Sequence, residues 1–160
     1  MKTYKSIAIA TLACAVIAVT GCASLPSPET MKAETASFQL PQLPDPGRAM
    51  VYVVRPSSLG SMIRFNVFVD DQEPASEVGY TRGNQYIQFG LAPGEHKIYS
   101  KAENWAETSV SVTAGDVVFI EQEPSMGFIM ARNNLVKLDE LQGKYHVKNL
   151  PSGTLIKELK

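Results

Sequence analysis

His96 and His146 are the side chains of this chain best suited to move protons near neutral pH. A hydrolase would join one of them to a nucleophile and a carboxylate. Serines and acids are plentiful, yet no Gly-x-Ser-x-Gly elbow marks a serine as the nucleophile. His96 follows the Ala92-Pro93-Gly94-Glu95 turn and is expected to hydrogen-bond across a hairpin. Neither histidine has another histidine or a cysteine at ligand spacing, which argues against a transition-metal site. Asp70-Asp71-Gln72-Glu73 lacks the alternating oxygens and terminal glutamate of a calcium loop and reads as a solvated turn. Paired carboxylates for glycoside chemistry need about 5–10 Å of separation across a cleft, and a small sandwich offers little cleft. Gly79 and Gly83 do not form a phosphate-cradling pattern. No catalytic residue, metal or cofactor is expected.

The most specific spacing lies near the N-terminus. Val19-Thr20-Gly21-Cys22 resembles the lipobox read by bacterial lipoprotein signal peptidase: aliphatic, small, small, cysteine. The Cys22 thiol would accept a diacylglycerol group, and small residues at 20 and 21 would let the backbone enter the peptidase. Ahead of it, Lys2 and Lys5 form a positive stretch, and Ile7 to Val19 is an uncharged apolar run. That run is shorter than the roughly 20 residues that span a bilayer, so residues 1–21 read as an export signal. Acyl chains on Cys22 would hold the mature chain to a membrane, since each buried methylene is worth about 0.8 kcal/mol. Ala23 stands where lipoproteins kept in the inner membrane typically carry aspartate. The expected location is therefore the outer membrane, facing the periplasm.

Cleavage before Cys22 removes 21 of the 160 residues, leaving 139, and takes two lysines and no acid, moving the formal charge from −1 to −3. So weak a balance gives no footprint for nucleic acid and none for an acidic membrane surface. Cys14 would leave with the signal and Cys22 would be acylated, so no thiol remains for a disulfide. One apolar core must suffice, and this length suits a single domain.

Two segments are candidates for recognition. Pro124 to Met130 carries Met126, Phe128 and Met130 after a strand. Methionine surfaces adapt to varied partners, and exposed apolar patches mark interaction sites; a buried strand would have the same composition. Tyr80, Arg82, Tyr86 and Trp105 could stack on a sugar or peptide, or serve as core and rim aromatics.

The elements that must position these residues read as strands. Residues 22–47 form a lipidated cysteine and a Pro/Ser-rich tether, expected to stand off the membrane as a semi-extended spacer. Ser27-Pro28-Glu29 has the makings of a helix start, giving either a short helix over 28–38 with Phe38 docked or a mobile linker. From residue 48 onward, β-branched and alternating runs occupy 49–55, 62–70, 86–91, 96–101, 108–113, 117–122 and about 129–138. One short helix is expected over 139–150, weakened by Gly143. The prediction is an all-β chain: an antiparallel sandwich of about seven strands with one C-terminal helix over 48–160.

Ala49-Met50-Val51-Tyr52-Val53-Val54-Arg55-Pro56, Val67-Phe68-Val69-Asp70-Asp71 and Leu91-Ala92-Pro93-Gly94-Glu95-His96-Lys97-Ile98 together resemble a family of bacterial lipoproteins built on a domain of unknown function. Ala114-Gly115-Asp116 with Val118-Phe119-Ile120 is similar to its later hairpin, so the likeness spans about 48–150. The Pro-Gly-x-His element is shared with PEGA-type and carboxypeptidase-regulatory-like sandwiches. Asp71 departs from the glycine that many relatives carry there. The resemblance implies an envelope sandwich without an accepted activity. The expected role is a non-enzymatic module that binds an envelope protein or polymer. Binding of a small apolar ligand or lipid between the sheets is the alternative, and an envelope hydrolase is less favoured.

Overall fold

The computed structural model describes residues 25–159. Cys22, with Val19, Thr20 and Gly21 of the lipobox, lies outside the described residues, as does the whole of 1–21. Helix α1 (Pro28–Thr35) precedes strands β1 (Ala49–Arg55), β2 (Phe65–Val69), β3 (Glu77–Thr81), β4 (Gln85–Leu91), β5 (Gly94–Lys101), β6 (Trp105–Val112), β7 (Val117–Met126) and β8 (Ala131–Leu138). Helix α2 (Glu140–Asn149) and the two-residue β9 (Thr154–Leu155) complete the chain. The strands form a sandwich of two sheets, ordered β4-β1-β7-β8 and β6-β5-β2-β3-β9.

Alternating residues fill the space between the sheets. Val51 and Val53 of β1, Val67 and Val69 of β2, Ile87 and Phe89 of β4 and Ile98 of β5 form one buried cluster with Val110, Val112 and Ile120. The other face of β1 is apolar too, because it is covered. Met50, Tyr52 and Val54 pack with Tyr86, Phe119 and Val147 beneath α2. Burial on both faces explains why β1 reads as an unbroken apolar run. Tyr52 stacks on Phe119 at 5.5 Å and lies 6.0 Å from Tyr86.

Several expectations are refined. The sandwich has nine strands rather than about seven, and β1 pairs with β7 in parallel while the other pairs of named strands are antiparallel. β3 and β9 escaped the pattern because Gly79 interrupts one and the other is only two residues long. Gly79 has a reason: a Cβ there would run into the Thr154 carbonyl oxygen. The last long strand begins at Ala131, not near Ile129.

The segment ahead of β1 is not a free spacer. α1 is capped by Ser27, whose hydroxyl accepts from Thr30 N at 3.3 Å, and it ends at Thr35 rather than 38. Met31 is buried, and Phe38 and Leu40 pack against the cluster beneath α2. Tyr52 Oη donates to Gln42 O at 2.5 Å and accepts from Gln42 N at 3.0 Å. The proline-rich chain therefore lies on the first sheet. Among the described residues no helix is long and apolar enough to cross a membrane.

Gly143, expected to weaken α2, is what lets the helix approach. A Cβ at 143 would overlap the Phe119 ring. Gly143→Ala gains roughly 1 kcal/mol of helix propensity but must displace a packed aromatic, and overpacking costs about 1–3 kcal/mol. The expected net result is a lower midpoint in thermal or urea unfolding. A rise in midpoint would mean that α2 is loosely seated.

Candidate functional site

The end of the sandwich where β7 gives way to β8 carries the most unusual surface. Met126 pairs with Ala131 across the hairpin, so residues 127–130 form its tip. The side chains there are not a buried strand. Met126 is 80% exposed, Phe128 95%, Ile129 83% and Met130 46%. The tip is nevertheless held. Glu103, in the turn between β5 and β6, accepts from the backbone N–H groups of Phe128 at 2.9 Å, Ile129 at 2.7 Å and Met130 at 2.7 Å. The Met130, Phe128 and Ile129 amides hold its carboxyl down at about 2. Gly127 makes room, since a Cβ there would meet the Met130 carbonyl and both Glu103 carboxylate oxygens. A carboxylate ringed by three amides thus fixes an apolar prow.

Of the second sequence candidate, the structure brings only part together. Tyr86 is buried against Tyr52. Tyr80 lies under the Arg64 guanidinium at 4.4 Å, with Arg82 at 5.7 Å. Trp105 packs separately on Phe68 at 5.1 Å, with Lys101 4.9 Å above its ring. These groups form two small stacks rather than one platform.

His96 meets a carboxylate but no serine. Its Nδ1 lies 2.9 Å from Asp70 Oδ2, and its Nε2 lies 2.9 Å from the Ala92 carbonyl oxygen. Both ring nitrogens face these acceptors rather than a hydroxyl. Ser76 borders the same depression of about 190 Å³, but its hydroxyl is engaged by Asp71. The Asp70-Asp71 turn works by backbone geometry: Asp70 takes a left-handed φ of 69°, and Asp71 Oδ1 accepts from Glu73 N at 2.9 Å. Among the described residues no three histidine, cysteine or acidic side chains converge as metal ligands.

His146 is buried in α2 with its Nε2 unpartnered, and burial lowers its basicity. It lines a cleft of about 540 Å³ together with Leu25, Pro26, Pro56, Asn84 and Glu121. Desolvation, with a contribution from Glu123, raises the Glu121 carboxyl to about 7. No hydrogen bond joins Glu121 to His146 among those found for the described residues.

Sequence reasoning missed Glu103 and Glu121. Glu103 sits 25 residues before its first partner, in a short polar turn with no local mark. Glu121 left a faint trace as the charged residue following the apolar run Val117–Ile120.

The profile of a family described as "Protein of unknown function (DUF2846)" matches residues 45–135. The chain belongs to the DUF2846 family. The matched span runs from just before β1 to the middle of β8, so it includes Glu103 and the apolar tip. An uncharacterized protein of Haemophilus influenzae is 23% identical over 133 residues, covering 82% of this chain and 76% of the relative.

Two measurements check the electrostatics of this DUF2846 domain. Glu103→Gln should speed amide hydrogen exchange at Phe128, Ile129 and Met130 while leaving the core strands protected; unchanged exchange would show the tip needs no carboxylate. Glu121 has the opposite sign. An unfolded glutamate ionises near 4.5 and the folded one near 7, so stability is highest below that window and falls as pH rises through it. Allowing for partial solvent screening, Glu121→Gln should flatten that fall and add about 1 kcal/mol above pH 7 in urea titrations.

Proposed function

We propose that this protein is a membrane-anchored envelope lipoprotein that acts as a non-enzymatic interaction module. In this reading the chain is cut after Val19-Thr20-Gly21, Cys22 carries the acyl chains, and the domain faces the periplasm from the outer membrane. The observation that carries it is the apolar tip, Met126 to Met130, exposed yet pinned by Glu103. Exposed apolar surface costs solubility and is most simply accounted for by an occupant. A pinned tip also loses less conformational freedom on binding than a mobile one.

The wiring of the histidines supports a binding role over hydrolysis. His96 faces a carbonyl where a nucleophile would sit, and His146 has no acid or serine bonded to it. The aliphatic cluster filling the space between the sheets favours a surface role over an interior ligand. The Pro-Gly-x-His turn, PEGA-like in sequence, serves in this reading as a structural corner.

Cys22→Ala should leave an uncleaved precursor that takes no label from a fatty-acid analogue; a variant that still matures and labels would remove the anchor from the proposal. Serine at Met126, Phe128 and Met130 together should alter the unfolding midpoint little, because surface changes usually stay within about ±0.5 kcal/mol each. The same variant should lose the contacts captured by crosslinking in intact cells. Retained contacts would move the interaction face elsewhere.

A further inference from the structure

We infer that the occupant of the β7–β8 tip is the bilayer surface itself, with the sandwich standing end-on and the tip dipped into the lipid interface. This rests on the proposed lipid anchor and names the partner of the same site.

The first support is where the chain enters. β1 and β7 run in parallel, with Val54 beside Glu121, so the loop after β1 and the tip after β7 belong to the same end of the sandwich. Leu25 and Pro26 share a cleft with Pro56, Asn84 and Glu121, which brings the chain in at that end too. Only three residue steps separate Leu25 from Cys22, a reach of at most roughly 11 Å. An acylated Cys22 would hold this end, and no other, against the membrane.

The second is the distribution of apolar surface. Ten large apolar side chains are exposed among the described residues, and seven of them belong to this end. They come from the chain entry (Leu25), the loop after β1 (Leu59, Met62) and the tip. The loops form one cap: Gly83 N donates to Ser61 O at 3.1 Å and Glu103 N to Ala131 O at 3.2 Å. Phe128 and Ile129 project from a convex hairpin. A protein partner would need a matching groove, whereas a lipid interface accepts protruding apolar groups without one.

The third is charge. Arg64, Arg82, Lys101 and Arg132 flank this end, against Glu103, Glu121 and Glu123. Glu103 is occupied by amides, and Glu123 accepts from Asn134. The opposite end carries Asp70, Asp71, Glu73, Glu95 and Asp116 in its turns and strand starts, offset in part by Arg48, Lys97 and Lys157. The balance of charge is thus more positive at the apolar tip than at the far end, as an anionic lipid surface would favour.

The test uses the full chain in intact cells, with a benzophenone side chain replacing Phe128 or, at the opposite end, Ser111. Lipid adducts from position 128 and none from 111 are expected, along with the acyl mass on Cys22. Protein adducts without lipid at 128 would overturn bilayer docking while leaving the interaction module standing. No adduct at 128 would overturn both. Lipid adducts from both positions alike would overturn the end-on orientation. Lipid adducts confined to 128 on a chain lacking the acyl mass would keep the docking and remove the anchor.

Discussion

A guanidinium sealed from water must be given acceptors, and the way Arg55 is given them shapes the end of the sandwich that carries the apolar tip. Arg55 is fully buried. Its Nη1 donates to Ile63 O at 2.8 Å, and its Nη2 to Leu59 O and Gly60 O at 2.8 Å each. It lies 3.5 Å above the centre of the Phe65 ring. Burial lowers its pKa to about 10, so it remains a cation at neutral pH. Three carbonyls from one loop converge on its two terminal nitrogens, while its buried Nε has no partner. The loop after β1 is thereby wound around a charge, and Gly60 is pressed so close to Ala131 that a Cβ would leave only 2.7 Å. The cap is thus fixed to the root of the tip.

Beside Arg55 the interior stays polar. Gln122 is fully buried, donating to Ser100 Oγ at 2.8 Å and to Phe65 O at 3.3 Å and accepting from the Thr81 hydroxyl. These bonds cross from β7 to β2, β3 and β5, joining the sheets where the aliphatic core gives out. A satisfied network of this kind specifies one register, because a slip would strand several buried groups. The tip therefore projects from a stiff base.

The legibility of the chain in sequence followed the range of the forces involved. β1 reads with its observed bounds because β-branched residues and Pro56 mark it locally. Alternation in β2 and β6 reveals which faces are buried, but not that β1 and β7 would run in parallel, since period two carries no direction. Gly79 hides β3, although the residue is there to admit Thr154. The 126–130 segment is ambiguous by composition, and a single distant carboxylate decides it. Net charge hides its distribution in another way: the total is small, while the balance differs between the two ends, both of which carry charges of each sign. The prolines before β1 suggest a spacer, whereas Phe38, Leu40 and the Tyr52 hydroxyl draw that chain onto the sheet.

That last feature sets how far the domain can travel. With residues 28–47 held against α2 and the first sheet, an acylated protein has a leash of a few residues instead of about twenty-five. The volume it can sweep shrinks to a thin layer, and the effective concentration of the domain within that layer rises accordingly. Contacts too weak to matter for a molecule free in solution would be populated there. Anything farther from the membrane than the domain's own length would be out of reach.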